Sequence, residues 1–216
     1  VNSVVVIDSG VANIGSVVAA LERLQAKVTV SRDWEQIRHA PRVLLPGVGS
    51  AAAAMRELDK LQLTALLPTL TQPVLGICLG MQLMFESSLE GSADQVNPPA
   101  GSSPVRCLAM LPGIIQRLPE SPGVRIPHMG WNSLKRRHSH PLVDGLSERD
   151  YAYFVHSFAA AESDFTLMAC THGISFSAIV ARGNFMGAQF HPERSAAVGA
   201  KLLNNFLNLN AEQIAA

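Results

Sequence analysis

Charge is scarce in this sequence. Only 16% of its 216 residues are Asp, Glu, Lys or Arg, and 17 basic side chains stand against 17 acidic ones. A chain without net charge offers no electrostatic footprint for nucleic acid or an anionic membrane surface. It is also poorly equipped to stay dispersed alone, which favours a partner that covers part of the surface. Cysteine is scarce as well. Cys78, Cys107 and Cys170 are odd in number and widely spaced, so neither a disulfide framework nor a zinc-binding pattern is expected. That usage suits a reducing, cytoplasmic compartment. Val1 to Ser9 carries no basic segment and only a four-residue apolar run, so it does not read as a signal peptide. No apolar stretch reaches the length of a membrane span.

What is present is apolar: 48% of the residues, enough for a sizeable core in a chain of this length. The run Val4-Val5-Val6-Ile7 predicts a strand buried on both faces, and Ile14, Val17, Val18, Leu21 and Leu24 follow at helical spacing. Lys27 to Val30 and Arg42 to Leu45 predict two more strands, the latter stopped by Pro46-Gly47. Ser50 is placed to cap an Ala-rich helix over Ala51 to Leu58. Pro73 to Ile77 predicts a fourth strand, followed by a helix over Leu79 to Ser88. Four strands interleaved with three helices predict a mostly parallel sheet covered on both faces. Gly91 to Pro104, rich in Gly, Ser and Pro, reads as a mobile surface loop. Beyond it strands dominate: parts of Val105 to Leu118, then Tyr151 to Phe158, Thr166 to Cys170, Ser177 to Ala181 and Met186 to Phe190. A last helix is expected over Ser195 to Leu209.

Gly76-Ile77-Cys78-Leu79-Gly80 falls where a buried strand gives way to a helix, the setting of a nucleophile elbow. A nucleophile there stands on a tight, strained turn, and its neighbours two residues away approach closely enough to exclude Cβ atoms. A helix N-terminus behind Cys78 favours thiolate, and the Leu79 N–H is a free donor for a developing oxyanion. The competing reading is an inert, buried cysteine. Two glycines so placed around any of three cysteines arise by chance only roughly 1–2% of the time, which favours the nucleophile. A thiol acting on an amide needs a base that later protonates the leaving amine. Among seven histidines, His138 and His140 lie in a polar stretch that reads as a solvated loop, and His39 and His172 read as surface residues. His191 follows an apolar run and precedes Pro192-Glu193. Pro192 keeps His191 extended, and residues two apart in extended chain point the same way, so Glu193 can hold the imidazole. Glu193 as a charge at the N-terminus of the last helix is the alternative.

Gly76 to Gln82 and Gln189 to Glu193 resemble the two hallmark segments of class I, triad-type glutamine amidotransferases. The order Cys, His, Glu and the terminal helix match as well. Asp8 to Ser16, Pro46 to Gly49, Pro127-His128-Met129-Gly130-Trp131-Asn132 and Tyr153 to Ser157 extend the resemblance. They point to the glutaminase branch that serves imidazole glycerol phosphate synthases in histidine biosynthesis. The resemblance implies a three-layer, flavodoxin-like α/β fold with an extra β-rich edge, one domain over 1–216, and no cofactor or metal. It implies Cys78, His191 and Glu193 as the triad, and a Val48 peptide that joins Leu79 as oxyanion donor when Gly47 and Gly49 let it turn. It assigns Gln82 and the backbone of His156, Ser157 and Phe158 to the amino-acid end of glutamine. It implies ammonia transfer to a (β/α)8 barrel cyclase subunit, with Asn13, His128, Met129, Trp131, Asn132 and Tyr153 at the interface. Partner and nucleotide are expected to favour the donor-in arrangement of Val48.

Plainer readings stand beside these: a Pro-Gly turn at 46–47, a polar helix position at Gln82, core packing for Trp131. Arg194 stands where many family members carry Lys, and 91–106 is longer and richer in Pro and Ser than the family pattern. Three alternatives remain at this stage: an anthranilate- or aminodeoxychorismate-type glutaminase, a binding module that has lost its chemistry, and a cysteine peptidase. The first typically carries Pro-Gly-Pro-Gly and a His after the elbow, where this chain has Val48 and Met81.

Overall fold

A computed structural model of the chain describes residues 2–10, 13–91 and 103–209. β-branched and Leu-rich runs form the centre of a sheet whose order is β2-β1-β3-β4-β14-β13-β12-β9. Its parallel part holds β1 (Ser3–Ile7), β2 (Lys27–Ser31), β3 (Val43–Gly47), β4 (Val74–Cys78) and β14 (Phe185–Ala188). Its antiparallel part adds β13 (Ile174–Arg182), β12 (Thr166–His172) and β9 (Lys135–Arg136). Side chains alternate between the two faces, as the pleat requires. Val4, Val6, Leu44, Leu75 and Ile77 enter one core, and Val5, Ile7, Val43, Leu45 and Val74 the other.

The first core is closed by α1 (Ile14–Arg23) through Val17 and Leu21, and by α6 (Ala196–Asn208) through Leu202, Leu203 and Phe206. The second is closed by α2 (Trp34–Arg38), α3 (Ala51–Lys60) and α4 (Leu63–Leu66). Ser50 caps α3, its hydroxyl accepting from the Ala53 N–H at 3.4 Å. A small sheet joins the second core: β11 (Phe158–Ala160), β7 (Leu111–Arg117), β5 (Phe85–Ser88) and β6 (Val105–Arg106). A ribbon of β8 (His128–Ser133) and β10 (Tyr151–His156) lies against the first.

Several expectations need correction. β3 runs through Pro46-Gly47 instead of ending before them. Val43 donates to Pro73 on the β4 side, so alternation turns the Pro46 nitrogen toward β1. The β1–β3 ladder ends at Leu44, and no hydrogen bond is lost there. The helix expected over Leu79 to Ser88 is only α5 (Leu79–Gln82) before β5 begins. Leu79, Met81, Leu83, Met84 and Phe85 are all buried, and an apolar run without a polar face does not distinguish helix from strand. The Met84 carbonyl accepts from Met110 and Leu111, which draws the chain out of the helix. The polar stretch at 135–140 opens as edge strand β9, so it is only partly a loop. His172 is half-buried and stacked on His128, with ring centroids 4.1 Å apart. Of the expected loop over Gly91 to Pro104, residues 92–102 lie outside the described residues, as do 11 and 12 of the Asp8 to Ser16 segment.

Candidate active site

Three neighbouring parallel strands deliver their chemistry at their carboxyl ends, where open α/β sheets gather functional groups. β4 ends in Cys78, β3 runs out into Val48 and Gly49, and the chain leaving β14 reaches His191. Cys78 sits at φ 53° and ψ −112°, a left-handed conformation that a residue with a side chain adopts only under constraint. The constraint is close packing. A Cβ on Gly76 would lie 2.6 Å from the Gly80 carbonyl oxygen, and one on Gly80 would lie 1.9 Å from that of Leu45. Those glycines let the turn fold back and aim the thiol off the sheet edge. Leu79 opens α5, so its N–H has no partner within the helix.

His191 lines the same cavity as Cys78, and the interaction between them favours the protonated ring. Its Nδ1–H donates to Glu193 Oε1 at 2.9 Å, with the Glu193 side chain almost wholly buried. The pairing arises differently from the extended-chain argument. His191 is extended, but Pro192–Arg194 forms one turn of 3-10 helix, and that turn carries the carboxylate back to the ring. The His191 backbone is clamped on both sides: its N–H donates to the Tyr153 carbonyl, and its carbonyl accepts from the Ser195 hydroxyl. Burial alone disfavours the imidazolium. Its interactions with Cys78 and Glu193 overcome that cost and raise His191 to about 10. Both partners thus favour the protonated ring, next to a sulfur that Gln189 Nε2 also approaches, at 3.8 Å.

A cavity of about 210 Å³ opens on the thiol, lined by Val48, Gly49, Cys78, Leu79, Gln82, Glu90, Val155, His156, Ser157, Phe158 and His191. Gln82 is buried, and its amide donates to the Phe158 carbonyl at 2.8 Å and to Gln189 Oε1 at 3.0 Å. Gly49, directly after Val48, holds φ 93°, a backbone conformation that residues with a side chain resist. Gly47 does not line the cavity: it pairs with Cys78 across β3 and β4. Glu90 escaped sequence reasoning because it borders the Gly/Ser/Pro-rich segment. Burial raises its pKa, although one oxygen accepts from the Ala51 N–H at 2.9 Å. Gln189, although within the segment that carries the family resemblance, and Ser195 were not singled out, since buried polar residues carry no periodic signal. A carboxyl, an imidazole and amide donors stand around one thiol in a small cavity, an arrangement suited to attack on an amide.

The expected interface residues separate by strand alternation. Met129 and Trp131, 63% and 53% exposed, face outward on β8, and Trp131 packs edge-on against half-buried Tyr153. Arg194 lies over the Tyr153 ring at 5.5 Å. Asn13 is exposed at the start of α1. His128 is a correction: it is 3% exposed, because its place in β8 turns its ring inward between Phe154 and His172. Asn132 faces the same way, its amide donating to the Thr171 carbonyl.

The model of the family "Glutamine amidotransferase class-I" matches residues 5–209, and the chain belongs to that family. It is 49% identical to an imidazole glycerol phosphate synthase subunit HisH from Colwellia psychrerythraea, over 97% of this chain and 94% of that one. A second HisH subunit, from Xanthomonas campestris, is 48% identical over 94% and 96% of the two chains. Within the class, the chain belongs with these HisH subunits. A crystal structure of a glutamine amidotransferase shares the fold at a TM-score of 0.69, with 16% identity and 98% and 99% of the two chains covered.

Proposed function

We propose that this chain is the glutaminase subunit of an imidazole glycerol phosphate synthase in L-histidine biosynthesis. It hydrolyses glutamine to glutamate and ammonia, and the ammonia passes to a (β/α)8 barrel cyclase subunit that makes imidazole glycerol phosphate and AICAR. Residues 1–216 act as one domain, and three thiols without disulfide partners suit a cytoplasmic setting. The observation that carries the reading is the Cys78–His191–Glu193 constellation on a cavity sized for one free amino acid.

The Cys78 thiolate attacks the side-chain carbonyl carbon of glutamine, forming a C–S bond and an oxyanion. The Leu79 N–H and the Val48 N–H, once turned inward, donate to that oxygen. His191 gives its proton to the departing nitrogen, the C–N bond breaks, and ammonia leaves a glutamyl thioester. Water then attacks the thioester with His191 as base, and the thiolate departs. Glu193 keeps the His191 ring aimed and its charge stabilised. The amino-acid end of the substrate rests on Gln82 and the His156–Phe158 backbone, and Glu90 supplies a carboxyl oxygen for its ammonium. Asn13, Met129, Trp131 and Tyr153 form the face that meets the cyclase.

The test is glutamate release by Cys78→Ala. Loss of about three orders of magnitude or more is expected for a missing covalent nucleophile. Wild-type turnover in a folded Cys78→Ala protein would end the proposal.

A further inference from the structure

A buried polar chain begins beneath the exposed face of β8 and ends in the cavity. The Asn132 amide donates to His128 Nε2 at 3.2 Å. His128 Nδ1 and His156 Nε2 are 3.0 Å apart, and His156 Nδ1 is 2.8 Å from the Phe158 carbonyl oxygen. A carbonyl only accepts, so His156 carries its proton on Nδ1, and its Nε2 must accept from His128 Nδ1–H. Both rings are thereby fixed as neutral Nδ1–H tautomers, and every ring nitrogen has a partner. The chain turns where His156 ends β10 and Phe158 begins β11, leaving Ser157 between them at the cavity wall. The His156 ring bridges that break, from its own residue to the carbonyl two residues on.

We propose that His128 and His156 form a positioning relay, two neutral imidazoles in series that fix the Ser157 backbone for the amino-acid end of the substrate. The relay rests on the glutaminase reading of the cavity. Neither ring touches the reacting atoms; the pair holds the wall that does. Its surroundings keep it neutral. Burial, the neighbouring ring and His172 push His128 down to about 3, and burial is also the main cause that takes His156 down to about 4. Phe154 and Phe176 pack on both rings, and His172 and His191 are the titratable neighbours that face them. A packing role alone would need only a flat apolar ring at 128. The relay needs a donor at the Nδ1 position, which Asn supplies and Phe does not.

The test compares His128→Phe and His128→Asn in the complex with cyclase and its ribonucleotide. His128→Phe should raise the KM for glutamine about tenfold, the scale of one buried hydrogen bond, with kcat within about threefold. His128→Asn should recover most of that loss. An unchanged KM in His128→Phe, or equal losses in both variants, would overturn the relay. Imidazole 15N NMR of the unmodified chain decides it should the variants misfold. Nδ1-protonated rings coupled across the Nδ1–H···Nε2 bond are expected, and Nε2-protonated rings would contradict it. Absence of glutamate release by the wild-type complex would refute the glutaminase reading instead, leaving the NMR result to judge the ring pair.

Discussion

Glu193 matters through one oxygen. Its Oε1 accepts from His191 Nδ1–H, and its charge helps raise that ring to about 10 against the cost of burial. Glu193→Gln keeps the shape and removes the charge, so the His191 pKa should fall. The lost orientation and charge should lower kcat about a hundredfold, the scale of a general acid–base contribution. An imidazole NMR titration alongside steady-state kinetics checks both, and an unmoved His191 titration would contradict the pairing. Sequence reading singled out Cys78, His191 and Glu193, which the fold gathers at one cavity, because glycine flanks and a proline mark them. Glu90 and Ser195 carry no such marks. Their parts come from where distant segments fold together, which spacing along the chain does not encode.

At the scale of the element, the elbow between β4 and α5 is built on contact distances. Gly80→Ala would drive a Cβ into the Leu45 carbonyl, a backbone atom of β3 that cannot move without breaking the β3–β4 ladder. Destabilisation of about 3 kcal/mol or more is expected, readable as a lower denaturant midpoint. A Gly80→Ala protein of wild-type stability would show that the turn is looser than this packing. Continuous apolar runs made β1 and β4 legible, helical spacing α1 and α6, and a Ser cap before an Ala-rich run α3. The same reasoning failed over Leu79 to Phe85, where every apolar side chain is buried and no polar face records the period. It also misjudged Pro46, since a strand tolerates proline where its nitrogen faces no partner. The four-residue α4 is too short to show a pattern.

For the molecule as a whole, its histidines oppose one another with pH. His128 and His156 are depressed in the fold, to about 3 and about 4, from the ordinary 6.5. Below pH 6.5 the unfolded chain binds their protons and the folded chain does not, so stability is lost as pH falls toward 4. Each contributes a slope of up to about 1.4 kcal/mol per pH unit. His191 is raised to about 10, so its contribution is complete below 6.5 and is lost as pH rises toward 10. Urea unfolding across pH should therefore show a maximum near neutrality and a steep acid side. Removing the His128 imidazole, as in His128→Phe, should flatten that side. An acid slope unchanged in His128→Phe would show that the ring is not held neutral.

Exposed Met129 and Trp131 and half-buried Tyr153 share one face of the β8–β10 ribbon with Val155, which lines the cavity, so the proposed docking face stands next to the proposed chemistry. The most direct measurement is glutamate release from glutamine by this chain, alone and then with a histidine-pathway cyclase and its ribonucleotide substrate. Strong stimulation by the complete mixture, with ammonia appearing in imidazole glycerol phosphate rather than in solution, is the predicted result. Glutamate release indifferent to the cyclase, or none under any condition, would contradict it.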